Sequence, residues 1–295
     1  LRTDARPQVG FGHLARSMVL ANALSIAAPV TIVVDDDAPI EELERDQDGV
    51  RIVHQVSFSP PRDKFNCMLD GYDFDDQAVA QWRQVGARLV GAISDEDTDE
   101  RRLDFVISAR PDCIANNARC VMTGLEYALV DPEFSRIASY TRNAPSTLLI
   151  SMSARDGHNA TARVLAALPC AKLSPDEDIQ VVVALGTNAA HLESIRQAAS
   201  DKHFQLHVDA NMPPLLAAAD LVIGGGGVGL LERMAAGRPS ITIILSDNQT
   251  GQAVAAAEAG ATEIGGSVDT LDPETLGGQI ADLWSRPAKR QRLGR

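Results

Sequence analysis

At 295 residues the chain exceeds the usual span of one domain, so two domains are expected, each able to bury its own core. Hydrophobic residues at 45% and charged residues at 23% exclude wholesale disorder. Only 4% aromatics and a formal net charge of -13 exclude a base-stacking nucleic-acid binder and a carbohydrate-binding module, since the first needs positive charge and both need aromatic platforms.

The predicted elements alternate short β-branched runs with segments of helical period, the pattern of βα repeats around parallel sheets. In the first series the strands are residues 1–4, 30–34, 50–53, 65–70, 89–93 and 105–107, with helices best defined at 13–27 and 75–85. Arg142 to Ser146 has turn composition and separates the two series. The boundary is therefore expected between residues 143 and 144, with a cleft opening beside it. The second series has strands at 147–152, 180–185, 204–208, 220–223 and 240–244, joined by Ala-rich helices. A last helix is expected to end near Trp284, and the basic tail from Arg286 to Arg295 is expected to be solvated.

Cys67, Cys113, Cys120 and Cys170 follow no metal-ligand spacing, so no metal site is expected. Nothing in the chain approaches the roughly 20 apolar residues of a membrane span, and no charged-then-apolar signal segment opens it. The expectation is a cytoplasmic protein without membrane insertion.

Three stretches carry chemistry. In the first, Gln8-Val9-Gly10-Phe11-Gly12-His13 joins a strand to a helix, and its glycines permit a tight turn and a close ligand approach. His13 then falls at a helix N-terminus, where the macrodipole disfavours the imidazolium and leaves the ring able to accept a proton. A capping or core role for His13 is the alternative. In the second, the strand from Asp220 runs into Gly224-Gly225-Gly226-Gly227-Val228-Gly229, with Glu232 about one turn later. Such a loop presents successive N–H groups at a helix start, which suits a diphosphate, and an ionised carboxylate matches the two hydroxyls of a ribose. It is not the dinucleotide fingerprint, because the glycine spacing differs. In the third, Ser246-Asp247-Asn248-Gln249 follows a strand, where carboxamides can face a ligand crevice or simply cap the next helix.

Together these motifs resemble a glycosyltransferase B-type arrangement of two Rossmann-like domains whose parallel sheets face a cleft. More closely, the chain resembles the UDP-2,4-diacetamido-2,4,6-trideoxy-β-L-altropyranose hydrolases of pseudaminic acid biosynthesis. The matching residues are Arg2-Thr3-Asp4, Val9 to His13 with Arg16, Asp70-Gly71-Tyr72, Tyr127 to Val130 with Glu133-Phe134, Asp156 to Asn159, the glycine loop with Glu232, and Asn248-Gln249. The resemblance implies a metal-independent, cofactor-free enzyme acting on a small UDP-sugar. Water would attack the anomeric carbon, UDP would leave whole, and His13 would be the general base. It also implies substrate contacts from Gly10, Gly12, Arg16, Tyr72, Gly225, Gly226, Gly227, Val228, Gly229, Glu232, Asn248 and Gln249.

Departures are visible. Gly71 stands where the family has His, Ser153-Ala154-Arg155-Asp156 replaces Gly-Gly-Ser-Asp and leaves Arg155 to meet phosphates by charge, and Asp131 replaces an arginine. Val228-Gly229 replaces the Ser-Thr often found in the glycine loop. They imply a sugar preference shifted from the family's own. The competing expectations are a UDP-sugar glycosyltransferase of the same fold and a non-catalytic nucleotide-sugar-binding protein.

Overall fold

A computed structural model describes residues 1–6, 12–38, 49–98, 101–173, 179–202 and 204–294. The chain divides into two compact units, Leu1–Leu129 and Val130–Arg295. The boundary lies 14 residues before the expected one because the segment from Val130 packs with the second unit. Phe134 is buried in that unit's core, and Arg142 bonds the carboxylate of Asp220 at 3.1 Å. The turn composition near Ala144 marks a loop inside the second unit.

The first unit runs β1 (Arg2–Thr3), α1 (Gly12–Ser25), β2 (Val30–Val34), β3 (Val50–His54), β4 (Phe65–Asp70), α2 (Asp76–Gln84), β5 (Ala87–Ile93), β6 (Phe105–Ser108) and β7 (Cys120–Thr123). Among the described residues these strands form a parallel sheet in the order β3-β2-β1-β4-β5-β6-β7. Helix α2 begins where Asp75 caps it, its carboxylate accepting the Ala78 N–H at 2.8 Å.

The second unit continues with α3 (Pro132–Ser135), β8 (Thr147–Ser151), α4 (Ala160–Ala167), β9 (Gln180–Leu185), α5 (Leu192–Lys202), β10 (Gln205–Val208) and α6 (Met212–Ala218). It closes with β11 (Leu221–Gly225), α7 (Val228–Ala235), β12 (Ser240–Ile244), α8 (Thr250–Glu258), β13 (Glu263–Ser267), α9 (Pro273–Ser285) and α10 (Pro287–Leu293). Its parallel sheet has the order β10-β9-β8-β11-β12-β13. Strand β8 shows why the elements read as continuous apolar runs: Leu148 and Ile150 enter one core while Leu149 enters the core on the opposite face. Burying each such side chain contributes roughly 1.5–3 kcal/mol.

In both sheets the order reverses once, between β1 and β4 in the first and between β8 and β11 in the second. In open α/β sheets, ligands bind beyond the carboxyl ends of the strands at such reversals. Each sheet thus has one favoured place for a site, and the motifs lie at both.

One expectation is corrected. The tail after Trp284 is not a solvated coil, because residues 287–293 form α10 and Arg290 is fully buried. Its guanidinium donates to Tyr140 Oη at 3.0 Å and to the carbonyls of Leu283 at 2.6 Å and Asn143 at 2.7 Å, so backbone and phenol oxygens offset its desolvation. No helix among the described residues is long and apolar enough to cross a membrane.

Candidate functional site

At the first reversal the sequence places an acid at the end of an apolar strand. Asp70 closes β4, pairs in register with Thr3 of β1, and accepts the Asp4 N–H on its backbone carbonyl at 2.8 Å. Its fully buried carboxylate receives the first two turns of α1. His13 Nδ1 lies 2.7 Å from Oδ1, Arg16 Nε lies 3.0 and 2.9 Å from the two oxygens, Arg16 Nη2 lies 2.5 Å from Oδ1, and Ser17 Oγ donates to Oδ2 at 3.0 Å. Residues 13, 16 and 17 share one helical face, which is why a single carboxylate collects all three. Arg16 continues to Asp95, just beyond β5, with Nη1 2.7 Å from both oxygens.

Burial alone would raise the Asp70 carboxyl, but the Arg16 charge and the hydrogen bonds from His13 and Arg16 more than offset it, and its pKa falls below the ordinary value. Burial likewise opposes the Arg16 cation, and the charges of Asp70 and Asp95 outweigh it and hold the guanidinium more firmly protonated than usual.

These contacts assign the imidazole. A carboxylate only accepts and a guanidinium only donates, so Nδ1 carries a hydrogen directed at Asp70; the opposite tautomer would set two lone pairs against each other at 2.7 Å. Arg16 Nη2 carries two hydrogens and, although 2.8 Å from Nδ1, directs one of them at the carboxylate oxygen 2.5 Å away. The Nε2 lone pair is then the basic one, held by a buried carboxylate behind the ring as in histidine general bases. Tyr72 stands edge-on to that ring, centroids 4.8 Å apart and planes at 82°, and is 40% exposed. His13, Arg16 and Tyr72 are therefore one cluster with Gly12 at the helix start; Gly10 lies outside the described residues. Gly71 leaves little space: a Cβ there would come within 2.9 Å of Asp4 Cβ and 3.0 Å of the Phe74 ring, so a larger side chain requires Phe74 to move.

At the second reversal, β11 ends in Gly224 and Gly225 and α7 starts at Val228 after the turn Gly226-Gly227. Among the loop's five glycines none has positive φ, so conformational freedom does not explain them. Gly224 and Gly225 are needed for packing, because a Cβ would collide with Arg233 and Ser151 O at the first and with Met152 O at the second. Gly227 and Gly229 are different: a Cβ at the first would meet Gln249 Nε2 at 3.4 Å, and at the second Arg233 Nη1 at 3.5 Å and Glu232 Oε2 at 4.0 Å, ordinary contacts.

No side chain caps α7, whose first N–H groups belong to this loop. Two glutamines fix its shape. Gln249 Oε1 accepts the Gly226 and Leu245 N–H groups at 3.1 and 3.0 Å, while Gln252 Nε2 donates to the carbonyls of Gly226 at 2.8 Å and Gly227 at 3.2 Å. Gln249 thus spends its oxygen on the loop rather than presenting it outward. Asn248, in the 3-10 turn Asp247–Gln249, accepts from Ser246 Oγ at 2.6 Å. Glu232 projects from α7 partly buried. Burial raises its pKa, the neighbouring Arg233 charge opposes the shift, and Asp131 adds to it.

Asp156, in the altered turn after β8, takes a structural part. At φ 42° it accepts the N–H groups of Ala160 at 2.8 Å and Thr161 at 3.0 Å, capping α4. Sequence reasoning did not single out Asp70, Ser17, Asp95, Arg233 or Gln252 for these parts. The local signals were an acid ending an apolar strand and a Glu-Arg pair inside a short helix of small and apolar residues.

Comparison with known proteins adds three findings. Residues 158–293 match the glycosyltransferase family 28 C-terminal domain. The chain is 22% identical over 187 residues to the UDP-2,4-diacetamido-2,4,6-trideoxy-beta-L-altropyranose hydrolase of Campylobacter jejuni, covering 58% of this chain and 66% of that one. It is 26% identical over 177 residues to the spore coat polysaccharide biosynthesis protein SpsG of Bacillus subtilis, covering 58% of this chain and 51% of that one. Both matches span less than two thirds of the relatives' lengths. The fold is shared with Acinetobacter baumannii MurG at a TM-score of 0.66 and 16% identity, over 99% of this chain and 92% of that one. A glycotransferase of kitacinnamycin shares it at 0.58 and 15% identity, over 99% and 92%. The chain accordingly has two Rossmann-like α/β domains of the glycosyltransferase B type.

Proposed function

We propose that the protein hydrolyses a UDP-sugar at the anomeric C–O bond, releasing free sugar and intact UDP. The observation that carries this reading is the Asp70–His13 pair at the carboxyl edge of the first sheet, a buried imidazole whose Nδ1 is held 2.7 Å from a buried carboxylate. In the proposed step Nε2 takes a proton from water as the water oxygen bonds to the anomeric carbon. The bond from that carbon to the diphosphate oxygen breaks, and its electron pair leaves with UDP. The second unit supplies the leaving-group site: the N–H groups of Gly227, Val228 and Gly229 at the start of α7 meet the diphosphate, and Glu232 accepts from the ribose hydroxyls. The substrate is a UDP-2,4-diacetamido-2,4,6-trideoxyhexose or a close variant, a reading supported by the activity named for the Campylobacter jejuni relative. The departures at Gly71 and Asp131 support a sugar preference shifted from the family's own.

A second reading, glycosyl transfer, is favoured by the match to the glycosyltransferase family 28 domain. There the same base would deprotonate an acceptor hydroxyl instead of water. Incubating the purified protein with a panel of UDP-sugars and no acceptor separates the two. Hydrolysis releases UDP and free sugar in equal amounts over many turnovers, whereas a transferase releases UDP only once an acceptor is added.

A further inference from the structure

Beneath the glycine loop lies a charge that neither the sequence motifs nor the proposed chemistry uses. Arg233, in the last turn of α7, is 2% exposed. Its Nη2 donates to the Gly225 carbonyl at 2.9 Å and to Thr242 Oγ1 at 3.1 Å, both neutral acceptors, and its buried Nε has no hydrogen-bond partner. Among the described residues no carboxylate is within ion-pair distance, and Glu232 is the one opposite charge that acts on it appreciably. A buried guanidinium ordinarily sits against a carboxylate or a full set of oxygens, as Arg16 and Arg290 do here, so this arrangement is costly for the protein alone.

Geometry indicates what could offset the cost. The Nη1 nitrogen lies where a Gly224 side chain would begin and 3.5 Å from where a Gly229 side chain would begin. The cation therefore lies directly against the glycines whose loop leads into the uncapped start of α7. Burial lowers the Arg233 pKa to about 10, opposed by the Glu232 charge, and the group remains charged at neutral pH.

We infer that Arg233 is a built-in counter-charge for an anionic ligand on the Gly226–Gly229 loop, acting through the loop without touching the ligand, and that it selects diphosphate-bearing ligands over neutral nucleosides. The inference rests on the UDP reading of this loop. It adds a positioning residue whose effect is electrostatic and falls on the diphosphate alone.

Calorimetric titration of UDP, inorganic pyrophosphate and uridine against the wild type, Arg233→Met and Arg233→Lys tests it, with thermal unfolding of each protein as the folding control. Loss of one charge a few ångströms from the anion in a low-dielectric setting should weaken UDP and pyrophosphate about ten- to a hundredfold in Arg233→Met, with uridine affinity unchanged within about twofold. Arg233→Lys, which keeps the charge, should restore most of the anion affinity. If Arg233→Met does not fold, the lysine variant decides, since tenfold loss of UDP affinity there contradicts a charge effect. Equal weakening of UDP and uridine, or equal loss in both variants, would overturn the inference in favour of a purely structural role. Pyrophosphate bound by the wild type without UDP would retire the uridine nucleotide and keep the anion site. A wild type that binds neither anion ends both.

Discussion

Asp70→Asn removes one charge from the His13 cluster with almost no change of volume, and its consequences can be worked from the contacts. The carboxylate accepts from His13, Arg16 and Ser17 while fully buried, and removing one partner of a buried ion pair costs about 3–5 kcal/mol. Arg16 keeps Asp95 at 2.7 Å, and the amide keeps one acceptor oxygen, so the loss belongs at the low end, about 3 kcal/mol. At about 4 °C per kcal/mol for a domain the size of Leu1–Leu129, its unfolding should fall by roughly 10 °C. The pH dependence has a definite sign. The folded-state pKa of Asp70 lies below its unfolded value, so its contribution is complete above the ordinary carboxylate range near about 3.9 and is lost as pH falls through the folded pKa. The gap between wild type and variant should therefore persist from neutral pH down to about 4 and close only below it. Catalytically, the amide nitrogen would donate toward His13 Nδ1, move the ring hydrogen to Nε2 and remove the base, lowering turnover about a thousandfold or more. The assay is thermal unfolding of both proteins across this pH range, paired with UDP release at neutral pH. A variant that unfolds with the wild type at neutral pH, or that turns over at the wild-type rate, refutes the reasoning.

Other perturbations separate binding from chemistry. His13→Gln should lower turnover by about a hundredfold to ten-thousandfold while UDP affinity by calorimetry stays the same, and full activity would remove His13 as the base. Glu232→Ala should weaken UDP binding roughly tenfold or more through loss of charge-assisted hydrogen bonds to ribose. Because the folded pKa of Glu232 is raised, its ionised form costs stability above that pKa. Glu232→Gln should thus be more heat-stable at neutral pH, with the gain vanishing below about pH 4, and a less stable variant at neutral pH would reverse the sign of the argument. Gly227→Ala should unfold with the wild type yet bind UDP more weakly, whereas Gly225→Ala, which collides with the Met152 carbonyl, should be destabilised in itself; equal unfolding temperatures for the two variants would contradict the division of the glycines.

Most strands were legible in the sequence, including the edge strands β3 and β10. Those at 30–34, 65–70, 180–185 and 240–244 are found with the bounds read from their apolar runs. Edge strands β7 and β13 escaped because the first is half exposed with a mixed sequence, Cys120–Thr123, and the second carries two glycines within Glu263–Ser267. Helix α10 escaped for another reason: a basic run reads as solvated, and the oxygens that hold Arg290 come partly from Tyr140 and Asn143, far away in sequence. The glycine loop announced itself by spacing, but which glycines packing requires and which it does not depends on Met152 and Arg233, and no spacing rule contains that. In the same way His13 could be picked out as a helix-start histidine, whereas Asp70, 57 residues away, becomes its partner only when β4 pairs with β1.

The central claim is that water, activated by His13, attacks the anomeric carbon of a UDP-sugar. Turnover in oxygen-labelled water, with no acceptor present and the products resolved by mass spectrometry, addresses it directly. Continuous release of UDP without label, and of free sugar carrying one labelled oxygen at the anomeric position, is expected. Label in a nucleotide or sugar phosphate would place the attack at phosphorus, and absence of UDP release without an acceptor would replace hydrolysis with transfer.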